Sequence, residues 1–512
     1  MTRLGPTPSL RPSARGLRPR IALLVGCLLV SSLVGSQAVA DPSSDSWPQF
    51  RGAGARGVAD GPVATTWSVP DNHNIAWRTD VPGLGHSSPV VWHDGERGLV
   101  FLTTAVRQGE GDDELRVGLY GDVEPVDDES PHRWLVLAYD LATGAEIWRR
   151  EATAGVPTFQ RHTKSTHANS TPAVDSERVV ALFGSEGLYA YDHAGELLWS
   201  KDLGTLDSGF FRDASAQWGF GASPVLHDGL VIVQADVQKG SFLAAFDATD
   251  GRLVWKQQRN EVPTWSTPTV VEVGDSAQIV VNGWKRRGAY SLATGEPVWW
   301  QEGGGDIPVP TPFESQGLLF FTSSHGGMAP LLAVHADARG ELPPLVESTD
   351  APNRATEAPR GVAWSQPRGG SYMTTPLVHG DLLYRMRDNG VLTVFEAATG
   401  NKVYDARIGG GSRTFTASPV AADGHLYLTS EIGDVFVVAT GREHRLVATN
   451  ELDAITLASP AISGQTLLFR TRGQLVAVAA TPVPEQADPA PSKGSRTTSR
   501  TETEDAGAMN QR

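Results

Sequence analysis

Ser418-Pro-Val-Ala-Ala-Asp-Gly-His-Leu-Tyr-Leu-Thr-Ser430, continued by Glu431-Ile-Gly-Asp-Val-Phe-Val-Val-Ala-Thr-Gly441, is the stretch on which the fold turns. It holds two short apolar runs, residues 425–430 and 435–439, with Asp423-Gly424 before the first and Gly433-Asp434 between them. Such runs predict antiparallel strands rather than helices, because glycine supplies the positive φ that a tight hairpin turn requires. A short strand after Pro419 opens the unit, and Thr440-Gly441 closes its third strand and opens a fourth. The unit reads as a four-stranded meander.

The Ser-Pro step that starts this unit belongs to a series: Ser88-Pro89, Thr171-Pro172, Ser223-Pro224, Thr267-Pro268, Thr311-Pro312, Thr375-Pro376, Ser418-Pro419 and Ser459-Pro460. Where nothing is inserted the interval is roughly 40–50 residues, the period of a propeller blade. The fourth strand has its own signature, a turn glycine followed by an aromatic, in the pairs Gly144/Trp148, Gly195/Trp199, Gly251/Trp255, Gly295/Trp299 and Gly400/Tyr404. One blade cannot bury both of its faces, so these rings are expected to pack on the neighbouring blade as structural staples. The last unit lacks a fourth strand, while Asn74-Ile-Ala-Trp77 stands upstream with no blade of its own. The prediction is an all-β chain: an eight-bladed β-propeller of four-stranded antiparallel blades, closed by an N-terminal strand that removes the open sheet edges.

At 512 residues the chain exceeds an ordinary single domain, a limit that circular repeats escape by adding blades. The formal net charge is -15, and the first forty residues hold arginines but no acid, so the rest is more acidic still. Such a surface gives no support for nucleic-acid binding. Arg11, Arg15, Arg18 and Arg20 precede an apolar run from Ile21 to Val30, and Ala38-Val39-Ala40 fits a signal-peptide cleavage site. Export, to the periplasm or outside the cell, is expected. The run is too short and interrupted for a transmembrane span. Leu24-Val-Gly-Cys27 resembles a lipobox, which makes a lipid anchor at Cys27 the alternative to cleavage after Ala40. Cys27 is the sole cysteine, so the exported chain is expected to have no disulfide, thiolate metal site or cysteine nucleophile.

These repeats, with Trp47-Pro-Gln-Phe-Arg-Gly52 and Gly85-His86-Ser-Ser-Pro89, resemble the pyrroloquinoline-quinone (PQQ) repeat family. That family of eight-bladed propellers includes quinoprotein alcohol dehydrogenases and the outer-membrane assembly lipoprotein BamB, and the likeness is to a secreted, BamB-like bacterial subgroup. The resemblance implies one of two functions, because many members bind no quinone. Its alcohol dehydrogenases carry adjacent cysteines against the quinone, and an aspartate base beside a calcium held by glutamate and asparagine. Cys27 cannot supply the first, and no residue-by-residue match emerges for the second. The expectation is a non-catalytic scaffold that binds a protein or cell-envelope partner, with no cofactor. The alternative is a PQQ- and calcium-dependent alcohol or sugar dehydrogenase.

In a propeller, the segments entering the inner strands and the loops between second and third strands converge on one mouth. The candidates there are His86, His167, Asn169, Trp218, Trp265, Trp284, Lys285, Arg286, His325, Arg387 and Arg472. The tryptophans offer stacking faces and Lys285, Arg286, Arg387 and Arg472 offer charge-assisted bonds, a mixture that could receive a planar anion. The alternative is that each satisfies a turn or solvates a rim. A metal held by His86, His167 and His325 would need convergence from separate blades, with no local spacing motif behind it. Asp213, Asp388 and Glu431 are available for acid–base work, but no nucleophile elbow or metalloprotease motif accompanies them.

The expected organisation is a signal peptide over residues 1–40, an N-terminal extension over 41–72, the propeller over 73–481 and a disordered tail over 482–512. Two insertions interrupt the blades, an acidic one at about 108–132 and a Pro/Ala/Glu-rich one at about 341–360.

Overall fold

A computed structural model describes residues 44–109, 113–119, 125–126, 129–213, 215–305, 307–325, 328–345, 360–411 and 413–480. Cys27, the cleavage point after Ala40 and the 482–512 tail lie outside the described residues. Eight sheets form the ring, each with a core of four antiparallel strands. Their inner strands are Val90–His93, Ala173–Val174, Val225–His227, Thr269–Val273, Phe313–Ser315, Leu377–His379, Val420–Ala422 and Ala461–Ser463, and the blades are numbered 1 to 8 in that order. The expected eight-bladed propeller is the observed fold.

Closure follows the sequence expectation. Ile75–Asp80 pairs antiparallel with Gln474–Val478, with Trp77 opposite Ala477, and Phe469 lies on the next strand opposite Val476. Blade 8 is thus completed by the chain's beginning. Two short parallel strands extend other blades: Val58–Ala59 beside the inner strand of blade 7, and Gly340–Leu342 beside the outer strand of blade 4.

Burial explains why the middle strands read as continuous apolar runs. In blade 3, Val231 to Ala235 are all buried, because both faces of the sheet meet a neighbouring blade. The outer strand Leu253–Gln258 leaves Leu253, Val254, Lys256 and Gln258 exposed.

Outer tryptophans lock five of the eight blades to the next. Trp77 donates its indole N–H to Leu141 O at 2.8 Å, and Gly144 of blade 1 lies on its ring. A Cβ at Gly144 would stand 2.4 Å from that ring, and its φ of +70° also favours glycine. The same lock joins Trp148 to Gly195, Trp199 to Gly251, Trp255 to Gly295 and Trp364 to Gly400, with indole bonds to the carbonyls of His193, Ala248, Leu292 and Ala397. Trp299 and Tyr404 depart from it. Trp299 packs edge-on against Phe321 of blade 5 at 5.8 Å with no turn glycine over it, and the buried Tyr404 hydroxyl has no partner.

The Ser/Thr-Pro steps have a shared structural role. In six of the eight steps the backbone N–H donates to the hydroxyl of the step in the next blade: Ser88 to Thr171 (2.9 Å), Thr171 to Ser223 (2.9 Å), Ser223 to Thr267 (3.0 Å), Thr311 to Thr375 (2.9 Å), Thr375 to Ser418 (2.9 Å) and Ser418 to Ser459 (2.9 Å). A proline cannot donate, so the residue before it supplies both donor and acceptor. The circle is broken at the Thr311 and Ser88 hydroxyls, which are buried without partners.

The N-terminal segment crosses one end of the channel inside this ring. Trp47 bridges to Val91 of blade 1, and Pro48 O accepts Val174 N of blade 2. Arg51, 1% exposed, donates to Pro376 O at 2.9 Å and Pro419 O at 3.0 Å, in blades 6 and 7. Burial lowers its pKa to about 9, which still leaves it charged at neutral pH. The segment thus ties opposite sides of the ring together.

Candidate functional site

The hydroxyl ring and Phe50 of the crossing segment line a central cavity of 890 Å³. Above them every entering segment contributes: His86, Asn169, Trp218, Trp265, Val309, Tyr372, Thr416 and Leu457. Loops between second and third strands add Leu119, His325 and Asp388. The propeller converges these stretches because each blade turns the same two connections toward the same face.

Aromatic rings form the wall beside blades 3 and 4. Phe210 stacks on Trp218 (centroids 4.9 Å apart, 16° between planes), and Trp265 meets Trp218 at 5.3 Å. Trp265 is fixed by its indole bond to Gly219 O at 2.8 Å. From blades 5 and 6, His325 and Tyr372 pair at 5.2 Å. Burial pushes the Tyr372 hydroxyl up to about 12, so it stays protonated.

Among the described residues, Lys164 and Asp388 are the lysine and the carboxylate of the cavity lining. Lys164 donates to Glu431 at 2.6 Å, and Glu431 is 1% exposed. That carboxylate also accepts Gly118 N at 2.7 Å and the Thr416 hydroxyl at 2.6 Å, while Lys164 Nζ reaches Gly118 O at 3.1 Å. Residues 113–119 thereby become a strap over one side of the mouth. Arg161 holds Glu114 O, Arg472 holds Asp113 O and Thr163 O accepts Arg116 N. His86 donates Nε2–H to Lys164 O at 3.0 Å. Burial first, then the nearby Arg470, lowers its pKa to about 3, so it is neutral at physiological pH.

Of the sequence candidates, His86, Asn169, Trp218, Trp265 and His325 share this cavity. Asn169 is engaged: its oxygen accepts Thr166 N and Oγ1, and its amide donates to Ser165 Oγ and Phe220 O. His167 borders a separate small cleft, its ring 4.8 Å from that of His132. Trp284, Lys285 and Arg286 line a second hollow of 620 Å³ with Arg212, Asn260 and Glu302. There Arg286 pairs with Glu302 at 2.9 Å and Lys285 bonds Asn260 at 2.8 Å. Arg387 bonds Arg368 O, and exposed Arg472 is taken by the strap. Four cations grouped in the sequence reading thus stand outside the lining of the central cavity.

Several lining residues had no signal to find them. Lys164 lies in no motif, and Leu119 and Phe210 belong to long connections whose course depends on the strap and on neighbouring blades. Among the acids, Asp388 lines the cavity, whereas Glu431 is committed to the strap. Exposed Asp213 bonds Ser215, which lowers its pKa.

Comparison with known proteins agrees with this architecture. The family model described as "Outer membrane protein assembly factor BamB" matches residues 133–403 and 354–483. A curated relative of that name from Shewanella oneidensis is 26% identical over 311 residues, covering 58% of this chain and 70% of the relative. Among solved structures, a europium-containing methanol dehydrogenase aligns with a TM-score of 0.54 at 11% identity, covering 84% of this chain and 91% of its own. A quinohemoprotein alcohol dehydrogenase from Pseudomonas putida HK5 aligns with a TM-score of 0.52 at 12% identity, covering 90% and 82%. At such identities the two dehydrogenases show a shared fold. With the ring, its repeats and the family match together, the chain belongs to the BamB-like PQQ-repeat propeller family.

Proposed function

We propose that this chain is an exported, non-catalytic BamB-like platform that binds a protein or cell-envelope partner through its mouth loops, with the signal peptide removed after Ala40. The observation that carries the reading is the donor set of the central cavity. Calcium takes about six to eight oxygen ligands. Among the described residues the one carboxylate in the lining is Asp388, Glu431 is used by Lys164, Gly118 and Thr416, and the Asn169 amide is fully bonded. The quinone's carboxylates would need cations, and Lys285, Arg286, Arg387 and Arg472 stand elsewhere. These residues do not fit a calcium–quinone pair.

The family relationship supports the platform reading, since the curated relative is named an assembly factor. No helix among the described residues is long and apolar enough to cross a membrane. The test is to incubate the mature chain with PQQ and calcium, desalt it, and assay dye reduction with alcohols and aldoses. The platform reading expects no retained chromophore and no turnover; stoichiometric quinone with turnover overturns it.

A further inference from the structure

From the central cavity we infer that it binds a compact aromatic molecule that carries no negative charge. This goes beyond the platform reading and does not depend on the partner. Size is the first argument, because 890 Å³ falls within the range of small-molecule pockets, about 300–1,000 Å³. Charge is the second. Lys164 is neutralised by a buried Glu431 at 2.6 Å, and His86 is held neutral, so no unpaired cation among the described lining residues favours an anion. An anionic ligand would lose water without a counter-charge and would meet the Asp388 carboxylate, a cost that an uncharged ring does not meet.

Surface chemistry is the third argument. Phe210, Trp218 and Trp265 make one wall, with Trp218 and Trp265 meeting at 5.3 Å, and Tyr372 and His325 add rings elsewhere in the lining, which gives a flat ring aromatic faces to pack on. Shape distinguishes a small molecule from a polypeptide. Phe50 belongs to a segment that Arg51 ties across the floor, and residues 113–119 cover one side of the mouth. A threaded chain would need two openings, and a compact molecule needs one.

The test uses two fluorescent probes on the mature chain: prodan, an uncharged dimethylamino-naphthyl ketone, and anilinonaphthalene sulfonate, its anionic counterpart. Prodan is expected to bind one per chain with blue-shifted emission, and at least about tenfold more tightly than the sulfonate. Trp265→Ala should weaken prodan about three- to tenfold through lost ring contact. Should that variant fold poorly, Leu119→Asp provides a second arm. Leu119 is 57% exposed at the rim, so a charge there spares the core, and it should also weaken prodan. The inference is overturned by equal or tighter sulfonate binding, by the absence of one-to-one saturation, or by prodan affinity that neither substitution changes. It is also overturned if a blocked aromatic peptide displaces prodan at equal concentration.

Discussion

The two ends of the channel are built on opposite plans. At the floor, six blade junctions use one bond, a Ser/Thr backbone N–H to the next blade's hydroxyl, and the crossing segment binds over them. At the mouth, the entering segments contribute histidine, asparagine, tryptophan, valine, tyrosine, threonine and leucine. A repeated bond serves the ring that the blades share, whereas side chains that vary around the mouth make a surface with a direction. Stability and recognition are thereby separated along one axis, and substitutions at the two ends should have different consequences.

The largest effect is expected at closure. Trp77→Ala removes a buried ring from the interlock with Gly144 and an indole bond to Leu141 O, and should cost about 3–5 kcal/mol in urea unfolding. Arg51→Ala comes next. It leaves Pro376 O and Pro419 O without their buried donor, and about 3 kcal/mol should be lost. Neither change alters a mouth side chain.

On the mouth side the expected cost is smaller and local. Glu431→Gln removes the charge that holds Lys164 and the strap, lowering global stability by about 1–2 kcal/mol while making residues 113–119 more accessible to limited proteolysis. Equal proteolysis of wild type and variant would show that the strap is held by other contacts.

The smallest effect concerns pH. Burial above all, with Asp236 nearby, raises the Glu261 pKa from 4.5 to about 7. Between those values the folded chain keeps a proton that the unfolded chain has lost, so this group makes folding less favourable as pH rises through that window. Glu261→Gln stays neutral and should flatten the decline in urea midpoint between about pH 5 and pH 7. An unchanged profile would assign the decline to other groups.

Most of the floor was legible in the sequence, and much of the mouth was not, for the same physical reason. Ser418-Pro419 and its equivalents recur because each blade must make the same bond, and Trp77 could be assigned to blade 8 because that blade lacked one strand. The interlocks were legible except where the pattern is replaced, at Trp299 and Tyr404. Loop residues obey no period. Lys285 and Arg286 follow Trp284 in sequence, yet Glu261 accepts both of their backbone N–H groups and pins that loop in the second hollow, away from the central lining. Lys164 owes its place to Glu431, distant in sequence, a pairing that no local motif encodes.

Hydrogen exchange read by mass spectrometry on the mature chain tests the separation of floor from mouth most directly. The amides of Thr171, Ser223, Thr375 and Ser418, with those of residues 47–57, should exchange only through global unfolding, while residues 113–119 open locally and faster still in Glu431→Gln. Equal exchange of the two regions, or a Glu431→Gln effect that reaches the hydroxyl ring, would contradict the account.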